Sequence, residues 1–268
     1  MYDNQPIGVF DSGVGGLTIF SEITKLLPNE SIIYFADQNN IPYSGKSKRG
    51  LEKITSDIVR FLIKNKAKLI VIACNTATVY TIDYLRSKFK VPIIGVVPVV
   101  KTAALFAKSG RIGILSTIAT SKSKYQKDLI KKFANGLIVN NIGSDEIVSF
   151  IETGDLKSAV LNKKLRNILK EFQEIDVLAL GCSHYPILRD EIQKILGLEV
   201  LILDSGPAVA RQVKRVLETN KMLSSKKSKI RFFTTGNPAD FKRIVEKLIN
   251  AKLDPDIIGV DTVEKAII

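Results

Sequence analysis

Short apolar runs rich in isoleucine and valine recur along the chain, and most intervals between them leave room for a helix. Runs that are apolar almost without interruption are typical of strands in a parallel sheet that is buried on both faces. After the first run, Leu17, Phe20, Ile23 and Leu27 follow at helical spacing, which predicts an amphipathic helix. The predicted strands lie within residues 7–11, 31–37, 68–74, 91–97, 111–117, 137–143, 176–182, 199–204, 230–236 and 256–260.

The regular alternation of strands and helices predicts the α/β class. About ten strands are too many for one compact doubly wound sheet in 268 residues, so we expect two similar doubly wound parallel-sheet domains. Glycine and proline interrupt the strand-like run at 95–101, which marks a first crossing, and 203–210 marks the return. The predicted first domain is therefore discontinuous, with residues 1–97 and 207–268, and residues 98–206 form the second.

Composition indicates a globular protein with a proper core, because 45% of the residues are hydrophobic. The longest nearly uncharged stretches fall short of the roughly 20 residues that a membrane helix needs. The start of the chain meets an acid at Asp3 and lacks the charged-then-apolar pattern of a secretory signal. We therefore expect no membrane association and a cytoplasmic location.

The chain is basic, with a formal net charge of +13 and a pI of about 9.6. Such a charge raises the question of nucleic acid. However, the lysines are spread over the whole chain and are not interleaved with aromatic residues in one segment. This distribution favours a solvated lysine-rich surface, so we expect no nucleic-acid partner, and a basic binding module remains the non-enzymatic alternative.

The two cysteines and the single histidine of the chain lie in two similar stretches, "VIACNTATVY" (71–80) and "VLALGCSHYP" (177–186). Each stretch leads an apolar run into a cysteine, Cys74 or Cys182, at a predicted strand end. Open α/β sheets bind their ligands at the carboxyl ends of strands. Short polar side chains follow both cysteines, as expected of a site: Asn75, Thr76 and Ser183.

Two further groups could tune these thiols. His184 lies two residues after Cys182, and a cation or base nearby lowers the pKa of a thiol from about 8.5 toward neutrality. Asp11 ends the first predicted strand and could serve Cys74 as a proton acceptor or a positioning group. Asp11 or Ser12 could instead cap the following helix, and the glycines of "DSGVGG" (11–16) would let backbone N–H groups approach a ligand.

Three chemistries could use two thiols and an imidazole. A cysteine hydrolase would use one thiol with His184 as the base, which leaves the second thiol without a task. A zinc site could take Cys74, Cys182 and His184 as ligands, with water in the fourth position. An acid and base pair could act on opposite faces of one substrate and invert a stereocentre, and this third chemistry fits the apparent duplication best.

Four motifs, "FDSGVGGLT", "PYSGKS", "CNTAT" and "GCSHYP", resemble those of the glutamate racemases, in the same order along essentially the whole chain. These are cofactor-independent enzymes that interconvert L- and D-glutamate. The resemblance implies two α/β domains that face each other across an active-site cleft. It also implies a small-molecule substrate, glutamate, no metal or organic cofactor, and a role in supplying D-glutamate for peptidoglycan. Family members commonly form homodimers.

The resemblance assigns roles to individual residues. It implies that Cys74 takes the proton from D-glutamate and Cys182 takes it from L-glutamate, while Asp11 and His184 assist these thiols as catalytic groups. Two positions depart from the family pattern, because Ser44 replaces a usual glycine and Ser183 replaces a usual threonine. The expected substrate-binding residues, of which the two at 117 and 120 match a looser segment, are Asp11, Ser12, Tyr43, Ser44, Asn75, Thr76, Thr117, Thr120, Ser183 and His184.

Overall fold

The computed structural model describes residues 5–97, 99–225 and 228–249, together with the backbone of 256–259. A strand occurs in each of the predicted segments, and every strand pairing is parallel. The strands are β1 (Ile7–Asp11), β2 (Ile32–Ala36), β3 (Leu69–Ile72), β4 (Ile93–Gly95), β5 (Arg111–Ser116), β6 (Ile138–Gly143), β7 (Val177–Gly181), β8 (Leu201–Leu203), β9 (Ile230–Thr234) and β10 (Asp256–Gly259).

Helices separate most of the strands. The apolar spacing after β1 correctly predicted the first of them, which begins at Leu17 and ends at Leu26. Short 3₁₀ turns lie at Gln38–Asn40, Tyr43–Gly45 and Tyr185–Leu188. The α-helices are α1 (Leu17–Leu26), α2 (Lys48–Lys64), α3 (Asn75–Lys88), α4 (Val100–Phe106), α5 (Ile118–Lys122), α6 (Lys124–Phe133), α7 (Val148–Thr153), α8 (Ala159–Leu169), α9 (Arg189–Leu196), α10 (Gly206–Thr219) and α11 (Pro238–Ile249).

The strands form two separate sheets. The first has six strands in the order β10-β9-β2-β1-β3-β4, and the second has four in the order β6-β5-β7-β8. We call the units built on them the first and second domains. The predicted α/β fold with two parallel-sheet domains is confirmed, although the two sheets differ in size. After completing the second sheet, the chain returns to the first, where β9 pairs with β2.

One apolar cluster runs between the two domains and holds them together. Side chains alternate along β1, so that Ile7 and Val9 join this cluster while Phe10 faces the opposite side of the first sheet. Leu178 and Leu180 of β7 belong to the same cluster from the second sheet. Helices cover the outer faces of both sheets. The shared core therefore fixes the strand ends of one domain relative to those of the other.

The predicted domain boundaries remain a prediction. Pro98, at the first predicted crossing, lies outside the described residues, as do residues 1–4 and 260–268 of the predicted first domain. The observed strands of the first sheet lie at 7–95 and 230–259, and those of the second lie between them in the sequence. Over the described residues, every helix is too short or too polar to cross a membrane.

Candidate active site

A cleft lies between the carboxyl ends of the strands of the two sheets and measures about 350 Å³, including space open to solvent. Every residue that the sequence nominated lines this cleft except Asp11 and Thr120, which are fully buried beside lining residues. Thr120 shares hydrogen bonds with Thr76 at 3.2 Å and with Thr117 at 2.9 Å. The structure therefore brings the separated motifs together at one place, with contributions from both domains.

Cys74 lies just after β3 and caps the N-terminus of α3. Its Sγ accepts a hydrogen bond from the Ala77 N–H at 3.5 Å, and only 6% of the residue is exposed. Burial raises the pKa of the Cys74 thiol well above its usual value, and the charge of Asp11 raises it further. The surroundings of this thiol therefore favour its neutral form.

Asp11 is the last residue of β1 and supports the turn that leads into α1. Its Oδ2 accepts a hydrogen bond from the Gly16 N–H at 2.8 Å, and its Oδ1 accepts one from the Ser183 hydroxyl of the second domain at 3.2 Å. Burial raises the pKa of the Asp11 carboxyl, while the charge of His184 and the bond from Gly16 oppose that rise. Asp11 therefore supports the turn and is at the same time a neighbour of Cys74.

Cys182 follows β7 directly, and its Sγ lies 3.8 Å from Nδ1 of His184. The other ring nitrogen of His184, Nε2, lies 2.6 Å from Oε1 of Glu152. Burial alone would lower the pKa of His184, but the hydrogen bonds to Cys182 and Glu152 and the carboxylate charge outweigh it and raise the pKa well above its usual value. Burial has the opposite effect on a carboxyl and would raise the pKa of Glu152, but the contacts of Glu152 with His184 outweigh burial and lower that pKa. The pair therefore favours an imidazolium beside a carboxylate.

Glu152, on α7, is a site residue that the sequence did not reveal. Its carboxylate also accepts hydrogen bonds from the Val14 N–H at 2.7 Å and from Gln38 Nε2 at 3.0 Å, both in the first domain. The glycine-rich turn makes this approach possible, because a Cβ at Gly13 would lie 2.0 Å from Glu152 Oε1 and one at Gly15 would lie 2.4 Å from His184 Nδ1. We expected these glycines to admit a ligand, whereas they admit side chains of the second domain.

The wall beside Cys74 offers hydrogen-bond donors to an anion. Asn75 is the first residue of α3, is 3% exposed, and its Nδ2 has no hydrogen-bond partner among the described residues. The hydroxyls of Thr76 and Thr117 lie 2.9 Å apart across the two domains. Because the N-terminus of a helix attracts negative charge, these groups suit a carboxylate.

Tyr43 and Ser44, from the turn Tyr43–Gly45, also line the cleft. The Tyr43 hydroxyl donates to Asp37 Oδ2 at 2.7 Å. The Ser44 hydroxyl donates to Oδ2 of Asp145 at 2.8 Å, and Asp145, in the second domain, is a lining residue that the sequence did not reveal. Across the residues that the structure describes, no three His, Cys, Asp or Glu side chains are grouped as the ligands of one metal ion would be.

Comparison with known proteins agrees with this geometry. The family described as Asp/Glu/hydantoin racemase matches residues 7–213. The chain is 39% identical to a glutamate racemase from Fusobacterium nucleatum, over 93% of this chain and 96% of that one. Among solved structures, a glutamate racemase from Bacillus anthracis superposes with a TM-score of 0.88 at 33% identity, covering 97% of this chain and 99% of that one. A glutamate racemase from Francisella tularensis in complex with D-glutamate gives 0.83 at 33% identity, covering 98% and 99%. The chain therefore belongs to the Asp/Glu/hydantoin racemase family, as a member of its glutamate racemase group.

Proposed function

We propose that this protein interconverts L- and D-glutamate by proton transfer at Cα between two thiols on opposite faces of the substrate, without a cofactor. One observation carries the proposal: two thiols line one cleft in opposite electrostatic surroundings. Cys74 is buried beside the carboxyl of Asp11, whereas Cys182 lies beside the imidazole of His184. An acid and a base facing one substrate are what inversion at a carbon requires.

The surroundings support a division of roles for the reaction that starts from L-glutamate. We assign Cys182 the role of thiolate base in this direction, with the imidazole of His184 3.8 Å from its sulfur. That thiolate removes the α-proton from one face of the substrate. Cys74, which its surroundings keep neutral, donates a proton to the other face. The reverse reaction exchanges the two roles, with Asp11 assisting Cys74.

A carbanion at Cα needs stabilisation in the absence of a cofactor. Donors that face the α-carboxylate would accept part of its developing charge, and fixed donors do so without reorganisation. The unpartnered Asn75 Nδ2 and the hydroxyls of Thr76 and Thr117 are the donors that we assign to this task. Ser12 and the backbone beside Ser183 line the rest of the cleft and complete the proposed substrate contacts.

Glutamate is the proposed substrate because the relatives act on or bind it. Solved relatives from Francisella tularensis and Escherichia coli are complexes with D-glutamate and L-glutamate, and the latter structure has a TM-score of 0.84 at 31% identity. Supply of D-glutamate for peptidoglycan, a cytoplasmic location and assembly as a homodimer are further parts of the proposal, and they rest on the resemblance to the family.

A cysteine hydrolase is the second candidate, because Cys182, His184 and Glu152 form a thiol, imidazole and carboxylate series. This candidate leaves Cys74 without a task, although Cys74 lines the same cleft. It predicts an acyl-enzyme on Cys182 and no exchange of an α-proton with solvent. The same experiment therefore separates the two candidates.

The decisive experiment is proton NMR of L-glutamate with the purified protein in D₂O, in the presence of a chelator and without added cofactor. We expect the α-proton signal to disappear and chiral analysis to find D-glutamate in the recovered amino acid. Exchange with aspartate but not with glutamate would keep the two-thiol mechanism and change the substrate. The absence of exchange with any amino acid, or exchange that the chelator abolishes, would overturn the proposal.

A further inference from the structure

The rim of the cleft carries a polar contact between the domains that the proposed chemistry does not use. The Ser44 hydroxyl donates to Asp145 Oδ2 at 2.8 Å and accepts from the Ala119 N–H at 3.2 Å. The Tyr80 hydroxyl donates to the Ala119 carbonyl oxygen at 3.1 Å. Ser44 and Tyr80 belong to the first domain, and Ala119 and Asp145 to the second. We call these four residues the rim clamp.

The geometry of the rim clamp fastens the start of α5 to the first domain. The N–H of Ala119 binds Ser44 and its carbonyl binds Tyr80, so that the same residue is held from both sides. Asp145 orients the serine, because a hydroxyl that donates to a carboxylate presents its lone pairs to the amide. All four residues are partly exposed, which lets water replace each bond when the domains separate.

The cleft behind the rim clamp is closed. Only 6% of Cys74 and 5% of Cys182 are exposed, so a substrate cannot reach both thiols unless the domains move apart. We infer that the rim clamp holds the two domains together over the bound substrate and opens at each entry and release.

Ser44 contributes two of the three hydrogen bonds of the rim clamp. Glycine has no hydroxyl to bind Asp145 or Ala119, so the substitution Ser44→Gly removes one half of the clamp. Tyr80→Phe removes the other half and retains the ring.

Thiol accessibility tests the clamp without any assumption about catalysis. The chain contains two cysteines and both lie in the cleft, so the rate of alkylation by iodoacetamide, without substrate, reports how often the cleft opens. We expect Tyr80→Phe to accelerate alkylation of both thiols by roughly 3- to 10-fold, the range for loss of one net hydrogen bond, and Ser44→Gly, which loses two bonds, to accelerate it at least as much. The double variant should be faster than either single variant.

Three further variants sharpen the test, and two of them, Asp145→Asn and Glu146→Ala, are matched controls. Asp145→Asn keeps an oxygen that accepts from Ser44 and should alkylate at nearly the parent rate, whereas Asp145→Ala should match Ser44→Gly, with no further increase when the two are combined. Glu146→Ala removes the adjacent carboxylate, which binds Lys164 within the second domain at 2.7 Å, and should leave the rate unchanged. An unchanged rate in Ser44→Gly, or an equal increase in Glu146→Ala, would overturn the inference.

The kinetic readout rests on the proposed function, whereas the alkylation readout does not, so the failure of one is distinguishable from the failure of the other. In a working racemase, Ser44→Gly should raise KM and leave kcat unchanged or higher, because the closed complex is less stable and release is faster. A large fall in kcat with unchanged KM would show that Ser44 acts on proton transfer and would contradict a role in closure.

Discussion

The two thiols occupy matching positions in the two domains but have neighbours of opposite character. Each follows a parallel strand, β3 or β7, at the edge where the sheets face each other. Cys74 has a carboxyl as its neighbour, Asp11, while Cys182 has an imidazole that Glu152 holds. The backbone therefore supplies the symmetry of the site, whereas a few side chains set the surroundings of each thiol.

The supporting groups interlock across the cleft. Asp11, beside Cys74, accepts a hydrogen bond from Ser183 of the second domain. Glu152, which supports the His184 pair, accepts one from the Val14 N–H of the first domain. Each half of the site is therefore completed by the opposite domain.

Removal of either thiol should have the largest effect and should break the symmetry most directly. We expect Cys74→Ala and Cys182→Ala each to lower racemisation by about 10³-fold or more, since a positioned proton-transfer group contributes about 10²–10⁴-fold. The remaining thiol still reaches one face of the substrate. Slow α-proton exchange in D₂O should therefore persist with L-glutamate in Cys74→Ala and with D-glutamate in Cys182→Ala.

The same NMR and chirality measurements provide the check. The two enantiomers act as controls for each other within one protein preparation, so a misfolded variant is recognised by the loss of both exchanges. Exchange of the same enantiomer by both variants would contradict the assignment of one face to each thiol.

Substitutions of the two supporting carboxylates, Asp11 and Glu152, should distinguish the Cys74 half of the site from the Cys182 half. L- and D-glutamate have equal free energies in solution, so kcat/KM stays equal in the two directions, and a one-sided effect must be sought in isotope effects. We expect Asp11→Asn and Glu152→Gln each to lower kcat/KM by about 10- to 100-fold, less than removal of a thiol. Glu152→Gln should raise the primary isotope effect with α-deuterated L-glutamate and lower it with α-deuterated D-glutamate, because it slows the step at Cys182.

Asp11→Asn should show the reverse pattern, because it slows the step at Cys74. Glu146→Gln is a suitable control, since its carboxylate is exposed and binds Lys164 away from the cleft. If both variants changed the two isotope effects in the same direction, the supporting groups would act on the site as a whole and the comparison between halves would fail.

The fold could be predicted well from the sequence because buried parallel strands leave a strong local signal. Apolar runs marked each strand, and helical spacing marked the start of α1 at Leu17. The thiols and His184 could be nominated because they are rare in this chain and follow such runs. The predicted domain ranges contain six and four of the predicted strands, whereas the order of the strands in each sheet left no comparable signal, since it depends on pairings between distant segments.

Glu152 and Asp145 could not be found in this way. Both lie in or beside α7, where acids mixed with apolar residues are typical of an ordinary amphipathic helix. The contact between Glu152 and His184 joins residues 32 positions apart, and that between Ser44 and Asp145 joins residues 101 apart. Only the folded arrangement of the two domains creates these contacts, so no local sequence pattern predicts them.

The pH dependence of kcat/KM should distinguish the Cys182 half of the site from the Cys74 half by a smaller effect. The pKa of His184 is raised by its bonds to Cys182 and Glu152, so the imidazolium persists above its usual range and is lost as the pH rises through that raised value. Loss of the cation removes the positive charge beside Cys182, and kcat/KM should fall on the alkaline side. In Glu152→Gln the carboxylate charge is absent, the pKa of His184 is lower, and the alkaline limb should move to lower pH.

Profiles of kcat/KM against pH for the parent and the variant provide the measurement. The ammonium group of free glutamate also titrates at alkaline pH, but it contributes equally to both proteins and cancels in the comparison. Asp11→Asn should leave the alkaline limb closer to its parent position than Glu152→Gln does. A limb that did not move in Glu152→Gln would show that protonated His184 does not support the base.

The smallest effect should come from Ser183, which belongs to the Cys182 half by sequence but donates its hydroxyl to Asp11 in the Cys74 half. We expect Ser183→Ala to lower kcat/KM by roughly 3- to 10-fold, the equivalent of about 1 kcal/mol for one hydrogen bond. The isotope effect should rise with α-deuterated D-glutamate, the pattern of Asp11→Asn, although the residue adjoins Cys182. Ser183→Thr keeps the hydroxyl, installs the residue usual in the family, and should retain the parent pattern. A rise with α-deuterated L-glutamate instead would assign the hydroxyl to its sequence neighbour, and the halves would then be supported separately, each by its own domain.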